Sequence, residues 1–308
     1  MMEDNNYNFT DKDKAAINAI ESHETKTNIE YINDVLQKIN LLAELVNSLH
    51  EENIQMKEWL CWSEPLIHKL IFHSSTLLKI FFGTEFLVKE TRVKVFDEPS
   101  AIILLRTVLE NYLTFHYLYI DNVSDEEKIF RINVWQYCGL KQRTNFTVNS
   151  ESSRSKQARE TVQVGELKDI ICNSDIFSKF KTQEQKEILK GRKARLSYSW
   201  EKLIESSGFR KNLFRNLYGY KSNYAHSEFI SVLQIKSKRY GFNALDKEHY
   251  ILFLLHIIIC KCIVDLKNLF PTVRLNYETK EKNVINEIEF FYQFAVDPQI
   301  DLMDITNL

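Results

Sequence analysis

Hydrophobic residues recur every three or four positions along most of the chain, the spacing that places them on one face of a helix. Long stretches of this kind cover residues 13–60, 64–82, 100–120, 124–144, 209–229, 247–270 and 280–294. Shorter helices are predicted at 162–172, 182–190 and 198–206, and the polar, serine-rich segment 147–160 is predicted to be an exposed loop. The pattern predicts an all-α protein built as a single helical bundle.

The same pattern suggests how the chain is divided. No internal repeat and no domain linker interrupts the helices, so we expect one bundle core over residues 61–295. A polar tail and a helical extension precede it over residues 1–60, and a C-terminal tail follows over residues 296–308. Ser124, with Glu127 three positions later, forms a predicted capping box at the start of one core helix.

Composition narrows the possible folds and cofactors. The chain of 308 residues has only 7 glycines and 4 prolines, too few for the turns of a large β-sheet protein. The glycine-rich phosphate loops of dinucleotide-binding and P-loop proteins are absent, as are the HExxH, HxExC and GxSxG motifs. The 5 cysteines are scattered and contain no CxxC pair, which indicates reduced thiols. We therefore expect no metal and no cofactor.

No segment indicates export or membrane insertion. The N-terminus, MMEDNNYNFTDKDK, is polar and acidic, unlike a secretory signal. The longest strongly apolar run covers residues 250–260, whereas a membrane-spanning helix needs about 20 apolar residues. We predict a cytoplasmic protein in which this run forms a buried core helix.

Arg106 and Glu110 stand four positions apart in the apolar helix 100–120, and therefore on one face. Burial of a charge costs several kcal/mol unless the charge is paired. One interpretation is a structural ion pair that fixes the helix in the bundle. The other is that Glu110, with or without Arg106, faces a polar cavity that admits a substrate or a second chain.

The helix predicted at 209–229 carries a second polar stripe. Arg215, Ser222 and His226 fall on one side because residues 11 apart differ by only about 20° around a helix. Tyr218 and Asn223 lie at the margins of this stripe. A guanidinium, a hydroxyl and an imidazole together can bind an anion and move a proton, although a lone helical histidine is more often structural.

Positive charge is concentrated between residues 179 and 221. Twelve basic and four acidic residues give this segment a charge of +8, in a chain whose net charge is −2. Such segregation favours a phosphate-binding surface, and the interleaved Tyr198 and Trp200 suit stacking on unpaired bases. A solvated basic surface without a ligand remains the alternative. The candidate nucleic-acid-binding residues are Lys190, Arg192, Lys193, Arg195, Arg210 and Lys211.

The blocks LLRTVLENY (104–112) and LYGYKSNYAHSEF (217–229) resemble those of an uncharacterised family of bacterial helical proteins, a domain of unknown function, over about residues 60–270. More distantly, the second block is similar to the signature of HEPN proteins, helical and often dimeric bundles. Many of these are metal-independent ribonucleases of toxin and antiviral systems. Their signature is an arginine, usually followed by a polar residue, with a histidine five to seven positions after the arginine. Lys221, Ser222, Asn223 and His226 occupy that frame here, with lysine in place of arginine.

This resemblance implies a mechanism and partners. His226 would act as general acid or base on the RNA 2′-hydroxyl, and Lys221 or Arg215 would stabilise the charge on phosphorus. Glu110 would orient the histidine, and a homodimer or a partner protein would complete the site. We therefore expect an RNA-acting effector of bacterial antiviral defence or of a toxin system. A non-catalytic interaction or sensor module, with Arg106, Glu110 and His226 as structural residues, is the alternative, and a small-ligand binder is a third possibility.

Overall fold

Helices account for nearly all of the regular structure in the computed structural model, which describes residues 28–51, 57–210, 213–214 and 244–297. The first half contains α1 (Asn28–Glu51), a 3-10 turn (Glu58–Leu60), α2 (Ser63–Phe81), strands β1 (Thr84–Val88) and β2 (Thr91–Val95), α3 (Glu98–Phe115) with a π-helical end (His116–Ile120), and α4 (Asp125–Thr144). The second half contains α5 (Glu151–Cys172), α6 (Asp175–Ser178), α7 (Thr182–Leu189), α8 (Trp200–Ser206), α9 (Ala244–Leu269), α10 (Pro271–Glu278) and α11 (Lys282–Val296). The predicted all-α fold is confirmed.

The main hydrophobic core is organised around α9. This helix packs against α1, α3, α10 and α11, and its side chains from Ile251 to Leu266 are mostly buried. It is long and apolar enough to cross a membrane, but most of its apolar stretch is buried inside the bundle, as in the core helix of a soluble protein. Helix α1 buries Val35, Leu42 and Leu45 in the same cluster. The helix of the N-terminal segment therefore shares the bundle core.

A second, smaller core lies beside the first. Phe130 and Tyr137 of α4 pack there with Ile171 of α5 and Ile188 of α7, and Leu196 completes the cluster. Tyr198 packs against both cores. The segment 190–199, which contains the KGRKAR sequence, therefore runs along the boundary between the two cores.

Helix ends follow their sequence signals in most places. The Ser124 hydroxyl accepts a hydrogen bond from the Glu127 amide (3.3 Å) and begins α4, as predicted. The Glu127 side chain does not complete the capping box, because it accepts hydrogen bonds from Arg131. Helix α9 ends at Leu269, one residue before the predicted end at residue 270, and Pro271 begins α10, which the hydrophobic pattern did not reveal.

The prediction of an exposed loop at 147–160 is wrong from residue 151 onwards. Helix α5 begins at Glu151 and continues to Cys172. At its start, the Ser150 hydroxyl accepts a hydrogen bond from the Ser153 amide. Only Glu160 and Ile171 of this helix are buried, so its first half has no apolar stripe from which a helix could be recognised, whereas its second half corresponds to the helix predicted at 162–172. Packing against α4 holds this helix in place.

A β-hairpin between α2 and α3 was also not predicted. Its two-residue loop, Lys89 and Glu90, has positive φ angles of 47° and 68°, although the glycine and asparagine typical of such loops are absent. At its base, the rings of Phe81 and Phe96 pack 5.0 Å apart. Gly83 has a φ of +80°, and the aliphatic stem of Lys94 occupies the space that a β-carbon would need. The hairpin is thus attached firmly at one end only.

Candidate functional site

A cleft of about 560 Å³ opens where the two cores meet. Three elements form its walls: α3 contributes Thr114, α4 contributes Trp135 and Gln142, and the segment 192–199 contributes the remainder. Ligand-binding pockets in proteins commonly have volumes of about 300–1,000 Å³, so the cleft has room for a group the size of one nucleotide.

Helix α4 fixes the start of the basic segment. The Tyr137 hydroxyl donates a hydrogen bond to the Leu189 carbonyl (2.6 Å), and the Gln142 amide donates one to the Gly191 carbonyl (3.2 Å). Gly191 has a φ of +75°, which strains other residues, and the Lys141 stem lies 3.0 Å from where a β-carbon would be, so a larger residue would be strained and crowded here. The backbone is therefore held in place immediately ahead of Arg192, the first cationic residue that lines the cleft.

Three cationic side chains line the cleft: Arg192, Lys193 and Arg195. The Arg192 side chain is 70% exposed, and its guanidinium lies 4.0 Å from the Glu187 carboxylate. Arg195 lies flat against Trp200, with 3.6 Å between the guanidinium carbon and the ring centre. Lys190 hydrogen-bonds to Glu187 (2.8 Å) and is not among the lining residues. The cleft wall is thus positively charged and open to solvent.

Tyr198 supplies an aromatic surface, supported from inside by a buried arginine. The Arg131 guanidinium lies 4.4 Å from the centre of the Tyr117 ring and 5.4 Å from that of the Tyr198 ring, the two ring centres are 5.3 Å apart, and the arginine side chain is 1% exposed. It bonds to the carboxylates of Asp121 and Glu127, both at 2.6 Å, so its charge is balanced within the protein. The buried position of Arg131 was not predicted, although Glu127 stands four positions earlier, the spacing of an ion pair on one face of a helix.

Arg106 and Glu110 are paired. Arg106 Nε donates to Glu110 Oε1 at 2.8 Å, and both side chains are partly exposed. Thr114, one turn further along α3, donates its hydroxyl to the Glu110 carbonyl and lines the cleft. The polar face of α3 therefore runs from the Arg106–Glu110 pair to the cleft wall.

The other residues predicted to be functional divide into two groups. Arg210 lies against α11, with its guanidinium 5.0 Å from the Phe294 ring and its amide bonded to the Ala295 carbonyl (2.9 Å), and it is not among the residues lining the cleft. The remainder lie outside the part of the chain that the structure describes, and their roles stay predictions: Lys211, Arg215, Tyr218, Lys221, Ser222, Asn223 and His226.

The main core contains charged side chains that the sequence did not single out. Asp265 accepts hydrogen bonds from the Tyr112 hydroxyl (2.6 Å) and from Lys261 (3.4 Å), and all three residues are almost completely buried. Burial raises the pKa of Asp265, while Lys261 and Tyr112 oppose that shift. Nearby, burial and the charge of Lys261 lower the pKa of His116 to about 3. These groups are enclosed by the bundle and have a structural role.

Potential metal ligands and nucleophiles are dispersed. Within residues 28–51, 57–210, 213–214 and 244–297, no three histidine, cysteine or acidic side chains are close enough together to hold a metal ion. The thiols of Cys138, Cys260 and Cys262 are buried and free, whereas Cys61 and Cys172 are exposed and free. Burial raises the pKa of Cys138 to about 11, which disfavours the reactive thiolate.

Residues 93–239 match a family of unknown function, DUF5677. Both sequence blocks that suggested an uncharacterised domain family fall inside this range, and that resemblance is confirmed. The match gives no support to the more distant likeness to HEPN proteins. No curated protein and no solved structure matches the chain.

Proposed function

We propose that the protein binds single-stranded RNA in the cleft between α3, α4 and the segment 192–199. The observation that supports this most strongly is the presence of three cations, Arg192, Lys193 and Arg195, on one wall of a cleft that also exposes aromatic side chains. Cations attract the phosphate backbone, and aromatic rings stack on unpaired bases.

The chemistry of the walls favours RNA that is not base-paired. Trp135 and Tyr198 are both half-buried, so each keeps part of its ring available to a ligand. In a duplex the base faces are already stacked on their neighbours, whereas a single strand can place one base in a cleft of this volume. The hydroxyl of Thr114 and the amide of Gln142 add groups that can contact ribose or base edges.

We extend this proposal to cleavage of the bound strand by a metal-independent ribonuclease. His226 removes the proton from a 2′-hydroxyl, the oxygen attacks the adjacent phosphorus to form a 2′,3′-cyclic phosphate, and the bond to the 5′-oxygen of the next nucleotide breaks. The departing 5′-oxygen takes a proton from water, and the imidazolium returns its proton to the solvent. Lys221 or Arg215 stabilises the negative charge on phosphorus, and Glu110 orients the imidazole. The position of Glu110, one turn from the cleft residue Thr114, supports this extension. A cytoplasmic role in antiviral defence or in a toxin system would suit such an activity.

One observation favours a second candidate function. The Arg106–Glu110 pair is closed at 2.8 Å, so Glu110 has a structural partner without any substrate. In a non-catalytic interaction or sensor module, this pair and His226 hold the bundle together and the cleft binds RNA without cutting it.

Binding is tested with a fluorescent single-stranded RNA of mixed sequence. Replacing Arg192 and Lys193 together by alanine should weaken binding at least about tenfold, since each charge-assisted contact contributes about 1.5–3 kcal/mol. The matched control removes one arginine and one lysine elsewhere, Arg274→Ala with Lys282→Ala, both exposed and on α10 and α11. Equal weakening in the two double variants would show that the cleft is not the binding site.

Cleavage is tested separately with His226→Ala, using His68→Ala as the control histidine on α2. The ribonuclease extension predicts that only His226→Ala abolishes cleavage while RNA binding is kept. Equal cleavage by the wild type and His226→Ala, at equal folding by circular dichroism, would remove His226 from the mechanism and leave the RNA-binding proposal standing.

A further inference from the structure

The β-hairpin between α2 and α3 has one apolar and one polar face. Thr84, Phe86 and Val88 of β1 pair with Val95, Val93 and Thr91 of β2, and because side chains alternate along a strand these six lie on the same face. We call them the apolar hairpin face. Glu85, Leu87, Arg92 and Lys94 form the opposite face. Such alternation is typical of a strand pair with one side buried.

Within the part of the chain that the structure describes, nothing buries the apolar hairpin face. Every residue of both strands is exposed, and Phe86 shows 53% of its surface to solvent. Only the base of the hairpin, where Phe81 packs on Phe96, is anchored in the main core. An isolated two-stranded hairpin is marginally stable in water, so a covered face would stabilise it substantially.

We propose that this face is covered by the same face of a second copy of the chain, packed across a two-fold axis. The distribution of charged residues between the two faces of the hairpin is the reason for proposing this partner. The strand charges, Glu85, Arg92 and Lys94, lie on the opposite face, and the apolar hairpin face contains no ionisable group. An uncharged apolar face has no means of selecting a charged or polar partner, but it is complementary to itself in an isologous contact.

Edge-to-edge pairing of two hairpins would not bury the apolar hairpin face. Joining two β2 strands in antiparallel register around Val93 would place Arg92 of one copy opposite Lys94 of the other, and like charges directly opposite are destabilising. Joining two β1 strands would avoid that repulsion, but it would double the exposed apolar surface. Face-to-face packing buries the surface and leaves all the charges in water.

The area involved indicates a weak, reversible dimer. The exposed parts of Phe86, Val88, Val93 and Val95 amount to a few hundred Å², on the order of half the roughly 800 Å² that each partner buries in a standard interface. Phe82, which is 52% exposed at the foot of the hairpin, adds to this area. We expect a dissociation constant in the micromolar range, and therefore a monomer–dimer equilibrium that depends on concentration.

The experiment is sedimentation equilibrium of the full chain at protein concentrations from about 1 to 200 μM. Phe86→Lys with Val93→Lys places charge on the apolar hairpin face and should raise the dissociation constant at least about tenfold. The matched control is Leu87→Lys, which adds a lysine to the other face at a residue that is 73% exposed. All three residues are exposed, so the variants should fold, which circular dichroism will check.

The proposal predicts a wild-type dimer, a monomeric Phe86→Lys, Val93→Lys variant, and a Leu87→Lys variant that behaves as the wild type. A wild type that stays monomeric at 200 μM would overturn it. So would a dimer that Leu87→Lys weakens as much as the double variant, or one in which hydrogen exchange shows protection of the Glu85 and Leu87 amides, because those results would indicate edge pairing.

Discussion

Cationic side chains occupy two very different surroundings in this protein. In the interior, Lys261 and Lys38 are almost completely buried, and each contacts a carboxylate, that of Asp265 for Lys261 and that of Glu287 for Lys38. In the cleft, Arg195 lies against an aromatic ring and Arg192 extends into solvent. The interior cations stabilise the bundle only as members of pairs, whereas the cleft cations remain able to meet a ligand.

This difference shows why charge alone does not identify a site. A buried cation that has a carboxylate within hydrogen-bonding distance is already desolvated and paired, so binding an external phosphate would gain little free energy. The cleft cations are partly or largely exposed and keep positive potential at the surface. Substitutions in the interior should therefore affect folding, and substitutions in the cleft should affect binding.

The largest effect is expected from Asp265→Ala. The change leaves the Lys261 ammonium and the Tyr112 hydroxyl buried without their carboxylate, which should lower the free energy of unfolding by about 3–5 kcal/mol. Urea denaturation followed by circular dichroism measures this loss. If the loss is under about 1 kcal/mol, the pair is not the structural element that we describe.

A triple variant sharpens the test. Tyr112→Phe, Lys261→Met and Asp265→Leu together remove every polar member of the cluster, and replacement of a whole buried ion pair by apolar groups is often nearly neutral. We expect the triple variant to recover most of the stability that Asp265→Ala loses. A triple variant as unstable as the single one would point to packing, not to the unpaired charge, as the cause.

A smaller effect should appear in the pH dependence of folding. His116 has a pKa of about 3 in the folded protein, lowered mainly by burial and further by Lys261, against about 6.5 when unfolded. Its neutral form is favoured by folding, so the related stability is complete above pH 6.5 and is lost as the pH falls towards 3. Relative to His116→Gln, the wild type should lose about 1.4 kcal/mol per pH unit, or about 2–3 kcal/mol at pH 4.5.

The measurement is the difference in unfolding free energy between wild type and His116→Gln from pH 7.5 to 4.5. This difference cancels the contributions of Asp265 and of other carboxylates that titrate in both proteins. A difference that does not change with pH would mean that His116 is not held neutral by burial.

Glu110 should have the smallest effect on folding. Its pair with Arg106 is partly exposed and four residues apart, so Glu110→Gln should cost less than about 1 kcal/mol of stability. If Glu110 orients His226, cleavage should nevertheless fall at least about tenfold. Arg106→Gln is the control, since it breaks the same pair and keeps the carboxylate. Parallel losses of cleavage in the two variants would favour the non-catalytic alternative for Glu110.

How far the fold could be predicted depended on whether a segment carries a one-sided hydrophobic pattern. Helices α2, α9 and α11 have apolar faces and clear end signals, and they lie close to where the pattern places them. The first half of helix α5, residues 151–161, is polar on nearly all sides, so the pattern predicted only its second half, and the hairpin turns through Lys89 and Glu90 without a glycine. In both cases, packing or backbone geometry decides the structure, not local sequence preference.

The site was predictable to a similar degree. Arg192, Lys193 and Arg195 were found because they are adjacent in sequence, and all three line the cleft. Trp135 and Thr114 were not found, because they come from two other helices and only the fold brings them to the same wall. The Arg106–Glu110 pair followed directly from helical spacing, but its distance from the cleft did not.

The salt dependence of RNA binding tests the cleft proposal most directly. Each phosphate contact on a single strand contributes a slope of about −0.7 to the plot of log affinity against log salt. Losing Arg192 and Lys193 should therefore make the slope shallower by about 1.4, while Arg274→Ala with Lys282→Ala should leave it unchanged. A wild-type slope near zero, or the same slope for the wild type and the Arg192, Lys193 variant, would contradict RNA binding in the cleft.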